Sequence, residues 1–203
     1  MKKYSAIAII EFRDIASGIY ATDAMVKRSP ISLLKCGVVT RGRYLTLIGG
    51  NTASVDEATH EGLLQGGASV IDHVMLPDVH PQVHAAILGE RAQAGYGSLA
   101  IIETATVSCN VRAAELALKG TPVELVEIRL AELALSGKGV SLYRGDLPDI
   151  EAAVDLAVSF LNRTGVEVVH RIIPAPNDVS LGHIATAAYF GDREALELDG
   201  EVG

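Results

Sequence analysis

Few side chains in this sequence have the types and spacing that chemistry requires. His80 and His84 have the i, i+4 spacing of a helical metal pair, but no third ligand is evident, so no metal site is predicted. Glu11 and Glu103 are carboxylates at the ends of predicted strands with no partner at acid/base spacing, which favours a helix cap or a hairpin partner as their role. No nucleophile, base and orienting group recur together, so the sequence predicts no enzyme.

Two further motifs also fail to indicate a reactive site. The segment Ser136-Gly137-Lys138-Gly139 lacks the earlier glycine of a phosphate loop, so nucleotide hydrolysis is not predicted. Cys36 and Cys109 form no C-x-x-C pair, which argues against a disulfide framework and against a paired metal site. The N-terminus shows no signal peptide, and the cytoplasm is the expected location.

Composition excludes several classes of function. The 203 residues carry a formal net charge of −8 and only 4% aromatic residues, so neither a general nucleic-acid binder nor a base-stacking platform is predicted. Hydrophobic residues make up 49% and the mean hydropathy is +0.29, yet no apolar run approaches the ~18 residues of a membrane span. We therefore expect no membrane partner. The high hydrophobic content indicates that apolar surface is buried at subunit interfaces.

The sequence is organised around an internal repeat. Ile9-Ile10-Glu11-Phe12 recurs as Ile101-Ile102-Glu103-Thr104, and more matches follow at near-constant spacing. These matches pair Lys27 with Lys119, Pro30 with Pro122, Gly42 with Gly137, Arg43 with Lys138, Gly50 with Gly145, and His73 with His170. A module of about 90 residues used twice explains them.

Each copy predicts a strand, a helix, a hairpin, a second helix and a last strand. The predicted elements are 5–12, 15–28, 31–39, 44–48, 54–64 and 70–76 in the first copy, and 99–103, 107–119, 123–130, 140–143, 150–162 and 166–173 in the second. A hairpin with two crossover helices predicts an α/β (α+β) fold of two ferredoxin-like modules, each a mainly antiparallel four-stranded sheet with flanking helices. The predicted domains are 1–89 and 98–180, joined by a linker at 90–97 and followed by an extension, 181–203, whose acidic tail is expected to be disordered.

With both copies laid out, the chain resembles the tandem-domain, trimer-forming shell proteins of bacterial microcompartments, built from BMC modules. The similarity covers roughly residues 5–176. The motifs that carry it in the first copy are Ala8-Ile9-Ile10-Glu11, Thr22-Asp23-Ala24-Met25-Val26-Lys27, Leu45-Thr46-Leu47-Ile48-Gly49-Gly50 and Val55-Asp56-Glu57-Ala58. Those in the second are Ile101-Ile102-Glu103-Thr104, Ala113-Ala114-Glu115-Leu116-Ala117-Leu118-Lys119, Ser136-Gly137, Arg144-Gly145-Asp146 and Ile150-Glu151-Ala152-Ala153-Val154.

The resemblance implies a homotrimer that forms a flat pseudohexameric tile in a microcompartment shell, edge to edge with other shell proteins. Small metabolites would cross a central pore ringed by the hairpin turns. The residues that match the pore turns are Thr40, Arg41, Gly42, Leu135, Ser136 and Gly137, with Arg43 and Lys138 behind them. The residues expected at the tile edge are Lys27, Lys119, Asp78 and His80.

Three Arg41 side chains alternating with three Ser136 would place positive charge at the constriction, so we expect the pore to favour anions. The alternative is that Arg41 points away from the axis and pairs with an acidic neighbour. Some tandem members of the family carry an iron-sulfur cluster on a pore cysteine, but the corresponding residue here is Thr40. Cys36 lies inside a strand and is expected to pack in the core, so no cofactor is predicted.

At the tile edge the sequence departs from the family pattern. Where the family often has Arg-Pro-His after the fourth strand, this chain has Asp78-Val79-His80 and Ala175-Pro176-Asn177. The resemblance therefore does not extend to the arginine partner of the edge lysine. A trimeric small-ligand sensor with ferredoxin-like modules is the alternative function, because fold alone does not separate the two.

Overall fold

A computed structural model describes residues 4–92, 95, 97–132, 135–178, 180 and 181. The first module consists of β1 Ala6–Phe12, α1 Ile15–Arg28, β2 Ser32–Val38, β3 Tyr44–Gly50, α2 Thr52–Gly66 and β4 Val70–Leu76, followed by a short helix, α3 Pro81–Ile87. The second consists of β5 Ser98–Thr104, α4 Val107–Gly120, β6 Glu124–Leu130, β7 Gly139–Gly145, α5 Leu147–Thr164 and β8 Val168–Ile173. The repeat predicted from the sequence is thus present element by element.

The two sheets have the same topology. Their strand orders are β2-β3-β1-β4 and β6-β7-β5-β8, and all paired strands are antiparallel. This order and the crossover helices make each module ferredoxin-like, as the sequence predicts. Both hairpins carry a register shift at the same place, between Leu33 and Lys35 and between Leu125 and Glu127.

Local sequence explains where the first helix begins and how it packs. Asp14 is the N-cap of α1, and its carboxylate accepts a hydrogen bond from the Ser17 backbone N–H at 2.9 Å. A hydrogen bond from the Ser69 hydroxyl, at 2.6 Å, and those from Ser17 lower the pKa of Asp14 to about 2. Gly18 lets α1 approach β3, because a Cβ there would lie 2.5 Å from the Cβ of Tyr44.

β1 lies between two cores, which explains why all seven of its residues are buried. One face of the strand packs with α1 and α2, and it consists of Ala6, Ala8, Ile10 and Phe12. The opposite face, with Ile7 and Ile9, joins a cluster that includes residues of α3 and most of the buried apolar residues of the second module. The two modules therefore share this second core, while the first core belongs to the first module alone.

The segment 77–88, which follows β4, contains α3, and this helix packs mainly on the other module. It contacts β6, and the side-chain oxygen of Gln82 accepts a hydrogen bond from the Leu125 backbone N–H at 2.8 Å. The predicted linker is also attached there, since Ala92 N–H donates to the Val126 carbonyl at 2.9 Å.

One prediction about the core is wrong. Cys36 is exposed, and it lies on β2, the edge strand of the first sheet. Cys109 is buried, and burial raises its pKa to about 11. None of the described helices combines the length and hydrophobicity that a membrane span requires. Most of the predicted extension at 181–203, including its acidic tail, lies outside the described residues.

Candidate functional site

The two hairpin turns, predicted to ring a pore, lie side by side. The Thr40 hydroxyl accepts a hydrogen bond from the Gly137 backbone N–H at 2.8 Å and donates to the Ala131 carbonyl at 3.2 Å. The Arg43 guanidinium donates to the Gly137 carbonyl at 3.3 Å. Residues almost a hundred positions apart are therefore brought into one polar cluster, which we call the turn cluster: Thr40, Arg41, Gly42, Arg43, Leu135, Ser136, Gly137 and Lys138.

The backbone of both turns has the same unusual conformation. Arg41 and Ser136 have φ values of 66° and 51°, and the glycines that follow, Gly42 and Gly137, have φ values of 69° and 85°. Left-handed φ values are uncommon for residues other than glycine. Arg41 and Ser136 are both exposed, so the turns present these two side chains to solvent.

The charges of the turn cluster are mostly positive. Lys138 is exposed and forms an ion pair with Glu103, and this bond raises the pKa of the lysine. Glu103 is therefore a hairpin partner, one of the two roles predicted for it. In the part of the chain that the structure describes, Arg41 forms no ion pair. None of the described acidic side chains compensates its guanidinium charge at the tip of the turn.

Glu11 has the other predicted role, that of a helix cap, but across the module boundary. Its carboxylate accepts a hydrogen bond from the Ser108 backbone N–H at 2.7 Å, at the first turn of α4. The side chain is only 2% exposed, and burial raises its pKa to about 7 despite that hydrogen bond, with Asp72 adding repulsion. Nearby, the Thr106 hydroxyl donates to the Asp72 carboxylate at 2.5 Å.

Of the residues predicted at the tile edge, three meet at the junction of the modules. Lys119 donates to the Asp78 carbonyl at 2.5 Å and pairs with the Glu115 carboxylate at 2.7 Å, while that carboxylate accepts from the His80 backbone N–H at 2.9 Å. Lys27, on α1, pairs with Asp23 at 2.5 Å and is not near this group. Half of the Lys119 side chain, 46%, stays exposed.

Glu115 is a junction residue that the sequence analysis missed. It is 3% exposed and holds both Lys119 and the start of α3. A signal for it was present, because Asp23 and Glu115 lie four residues before Lys27 and Lys119 in both copies, the spacing of a helical ion pair.

His80 and His84 do not act as a helical metal pair. The imidazole Nδ1 of His80 accepts from the Gln82 backbone N–H at 3.3 Å and caps α3, while His84 is 6% exposed beside Tyr4. No group of three histidine, cysteine or carboxylate side chains able to hold a metal exists among the described residues.

Comparison with known proteins decides the family. The BMC-domain profile matches residues 6–79 and 98–176, one match per module. This chain belongs to the BMC-domain family. It is similar to the bacterial microcompartment shell protein PduT of Citrobacter freundii, with 32% identity over 173 residues, covering 85% of this chain and 94% of that protein.

Solved structures agree with this assignment. A microcompartment protein of Desulfitobacterium hafniense matches with a TM-score of 0.77 and 35% identity, covering 86% of this chain and 97% of that one. A fused permuted hexameric shell protein of the RMM microcompartment shares the fold, with a TM-score of 0.59 and 22% identity over 81% of this chain and 88% of that one. The chain is thus a tandem-domain microcompartment shell protein.

Proposed function

We propose that three copies of this BMC shell protein, with modules 1–89 and 98–180 joined at 90–97, close into a pseudohexameric tile that is not an enzyme. The observation that carries the proposal is the unequal burial of α1 and α4, which occupy equivalent positions in the two modules. Three apolar side chains of α4, which packs against β1 and β4, are buried: Val107 0%, Val111 0% and Leu118 6% exposed. Their counterparts on α1 are exposed: Ile15 36%, Ile19 53% and Val26 47%.

The surface that would receive α1 is also uncovered. In the first sheet, Ile9 and Glu11 are buried beneath the second module. Their counterparts in the second sheet, Ile101 and Glu103, are partly exposed, and Val169 of β8 is 45% exposed. Each chain therefore contains one complete junction and displays the two unused halves of a second.

Joining those halves produces a head-to-tail contact that repeats from chain to chain. Such contacts close into a ring when the rotation is right, and with two modules per chain a six-module ring needs three chains. The polar contacts of the internal junction indicate one expected pair. The Ala16 N–H of one chain would donate to Glu103 of the next, as Ser108 does to Glu11.

Light scattering on the purified protein tests the ring. We expect the mass of three chains for the wild type and for Ile19→Val, which keeps the apolar surface. Ile19→Asp places a charge in the proposed contact and should yield single chains with unchanged circular dichroism, because desolvating an unpaired carboxylate is costly. A single-chain mass for the wild-type protein would refute the proposal.

Within the ring, the turn cluster is proposed to surround the pore. Three Arg41 side chains would converge there, and two unit charges about 4 Å apart repel by about 1 kcal/mol in water, so a bound anion would stabilise them. Arginine also holds carboxylates and phosphates through paired hydrogen bonds. The absence of an ion-pair partner for Arg41 among the described side chains supports an anion-favouring pore.

Flux through reconstituted shells tests the pore. Arg41→Ala should slow anionic metabolites and leave trimers and sheets intact, whereas Arg41→Lys, which keeps the charge, should retain most of the flux. Equal anion flux through wild-type and Arg41→Ala shells would contradict the anion preference.

We further propose that Lys27, Lys119, Asp78 and His80 lie along the tile edge and contact other shell proteins. Lys119 also holds the junction between modules, so its substitution would affect both contacts. Lys27 pairs only with exposed Asp23 among the described residues and is the cleaner probe. Lys27→Asp should abolish sheets in electron micrographs while the three-chain mass persists, and intact sheets would exclude Lys27 from the edge.

A further inference from the structure

A groove of about 740 Å³ runs between the two modules of one chain, away from the turn cluster. Helix α2 and strand β4 form one wall, and helices α4 and α5 form the other. Its polar lining includes Asp56, His60, Asp72, Thr106, Arg112 and Thr164. The volume lies within the range of small-molecule sites, about 300 to 1,000 Å³.

Arg112 is the group in this groove that lacks an internal partner. Its side chain is half-buried, and it forms no hydrogen bond or ion pair with the described part of the chain. Asp72 lines the same groove but forms no ion pair with Arg112, and its carboxylate oxygens accept from the Thr106 hydroxyl at 2.5 Å and the His73 backbone N–H at 2.8 Å. A guanidinium stays charged at any physiological pH, so Arg112 offers a fixed positive charge with free donors.

The repeat provides an internal control for this chemistry. Arg112 is the sixth residue of α4, and Tyr20 is the sixth residue of α1. Asp72 pairs in register with Glu11, whereas Val169 pairs with the equivalent Glu103. In the other copy the same helix and sheet positions hold tyrosine and valine, which are exposed within one chain, so the arginine and the carboxylate are particular to the groove and are not part of the repeated module.

We propose that this groove binds a small metabolite that carries a carboxylate or phosphate together with a hydroxyl or ammonium group. The oxyanion pairs with Arg112, and the hydroxyl or ammonium donates to Asp56 or Asp72. Leu63 and Phe160 supply apolar walls for the carbon skeleton. The groove is complete within one chain, so this inference goes beyond the tile and its pore and does not depend on either.

Calorimetric titration of the purified full-length protein tests the groove with four probes. Glycerol 3-phosphate, D-glycerate and L-serine carry the proposed groups in three forms, and glycerol lacks the anion. We expect saturable binding of at least one anionic or zwitterionic probe at one site per chain, and no binding of glycerol. Comparing the three also distinguishes a phosphate site from a carboxylate site.

Arg112→Tyr copies the residue of the other module and should weaken binding at least about tenfold, since a charge-assisted pair is lost. Arg112→Gln, which keeps length and polarity without the charge, should show the same loss and guards against misfolding of the tyrosine variant. Arg41→Ala removes the pore arginine and should leave this binding unchanged. The tests of the tile and the pore and the test of the groove can therefore give different outcomes, so failure of one proposal is distinguishable from failure of the other.

Three results would overturn the proposal. The first is that no probe saturates the protein below about 10 mM, a range in which even weak sites are detected. The second is that both Arg112 variants bind the probe as tightly as the wild type. The third is that Arg41→Ala abolishes binding, which would place the anion at the turn cluster instead.

Discussion

Replacing Glu11 with glutamine should stabilise this protein above pH 7 and remove part of its pH dependence. Glu11 is 2% exposed, and its carboxylate accepts from the Ser108 N–H at 2.7 Å across the module junction. Burial disfavours the charged form more than this hydrogen bond favours it, so its pKa rises from 4.5 to about 7. A glutamine side chain keeps an oxygen that can accept from Ser108, and it carries no charge to bury.

The sign and the size of this change in stability follow from proton linkage. In the unfolded chain Glu11 releases its proton near pH 4.5, while the folded protein holds it until about pH 7. The folded state thus binds more protons in this window, and the stability that the protonated group contributes is lost as the pH rises from 4.5 through 7. The pKa difference corresponds to about 3 kcal/mol, an upper value for the gain of Glu11→Gln at pH 8. Near pH 4.5 the two proteins should be equally stable.

Chemical denaturation at pH 5, 6, 7 and 8 measures the effect, at one protein concentration because assembly adds to apparent stability. Glu103→Gln is the matched control, since Glu103 occupies the same position in the second module but is 37% exposed within one chain and pairs with Lys138. That variant loses an ion pair and should not become more stable at pH 8. If Glu11→Gln and the wild type show the same pH dependence, burial of the charge is not what governs this junction.

Two other substitutions test how the modules are built. Gly18→Ala should destabilise the protein by about 1 to 3 kcal/mol in thermal unfolding, because the added Cβ would lie 2.5 Å from the Tyr44 Cβ and this overlap outweighs the better helix propensity of alanine. Gly37→Ala meets nothing within 4 Å and should change little; equal losses would show that the overlap is not the cause. Thr40→Val should cost about 1 to 3 kcal/mol, because the buried Gly137 N–H loses its acceptor. Thr40→Ser keeps the hydroxyl and should lose less, and a valine variant as stable as the wild type would mean that this bond does not hold the turns together.

Much of each module follows from its own sequence. The predicted boundaries of α1 and β4 match the structure, because alternating and helical apolar patterns record which side chains face one sheet-helix core. The turn residues were also predictable, since Gly42 and Gly137 permit the left-handed backbone that both hairpins use. The family followed from motifs repeated at constant spacing.

The contacts between modules were not predictable in this way. Ile15, Ile19 and Val26 belong to the apolar pattern of α1, yet they are exposed while Thr22 and Met25 are buried, because the helix carries a second apolar face that its own module does not cover. Periodicity counts both faces together and does not say which neighbour meets each one.

The sequence by itself determined two copies of one module, the order of their helices and strands along the chain, and the family to which they belong. Only the tertiary structure decided that Glu11 caps a helix of the other module, that Cys36 is exposed and that Arg112 has no partner among the described residues. The physical reason is that local patterns encode burial within a module. Docking between modules depends instead on surfaces that exist only after each one has folded.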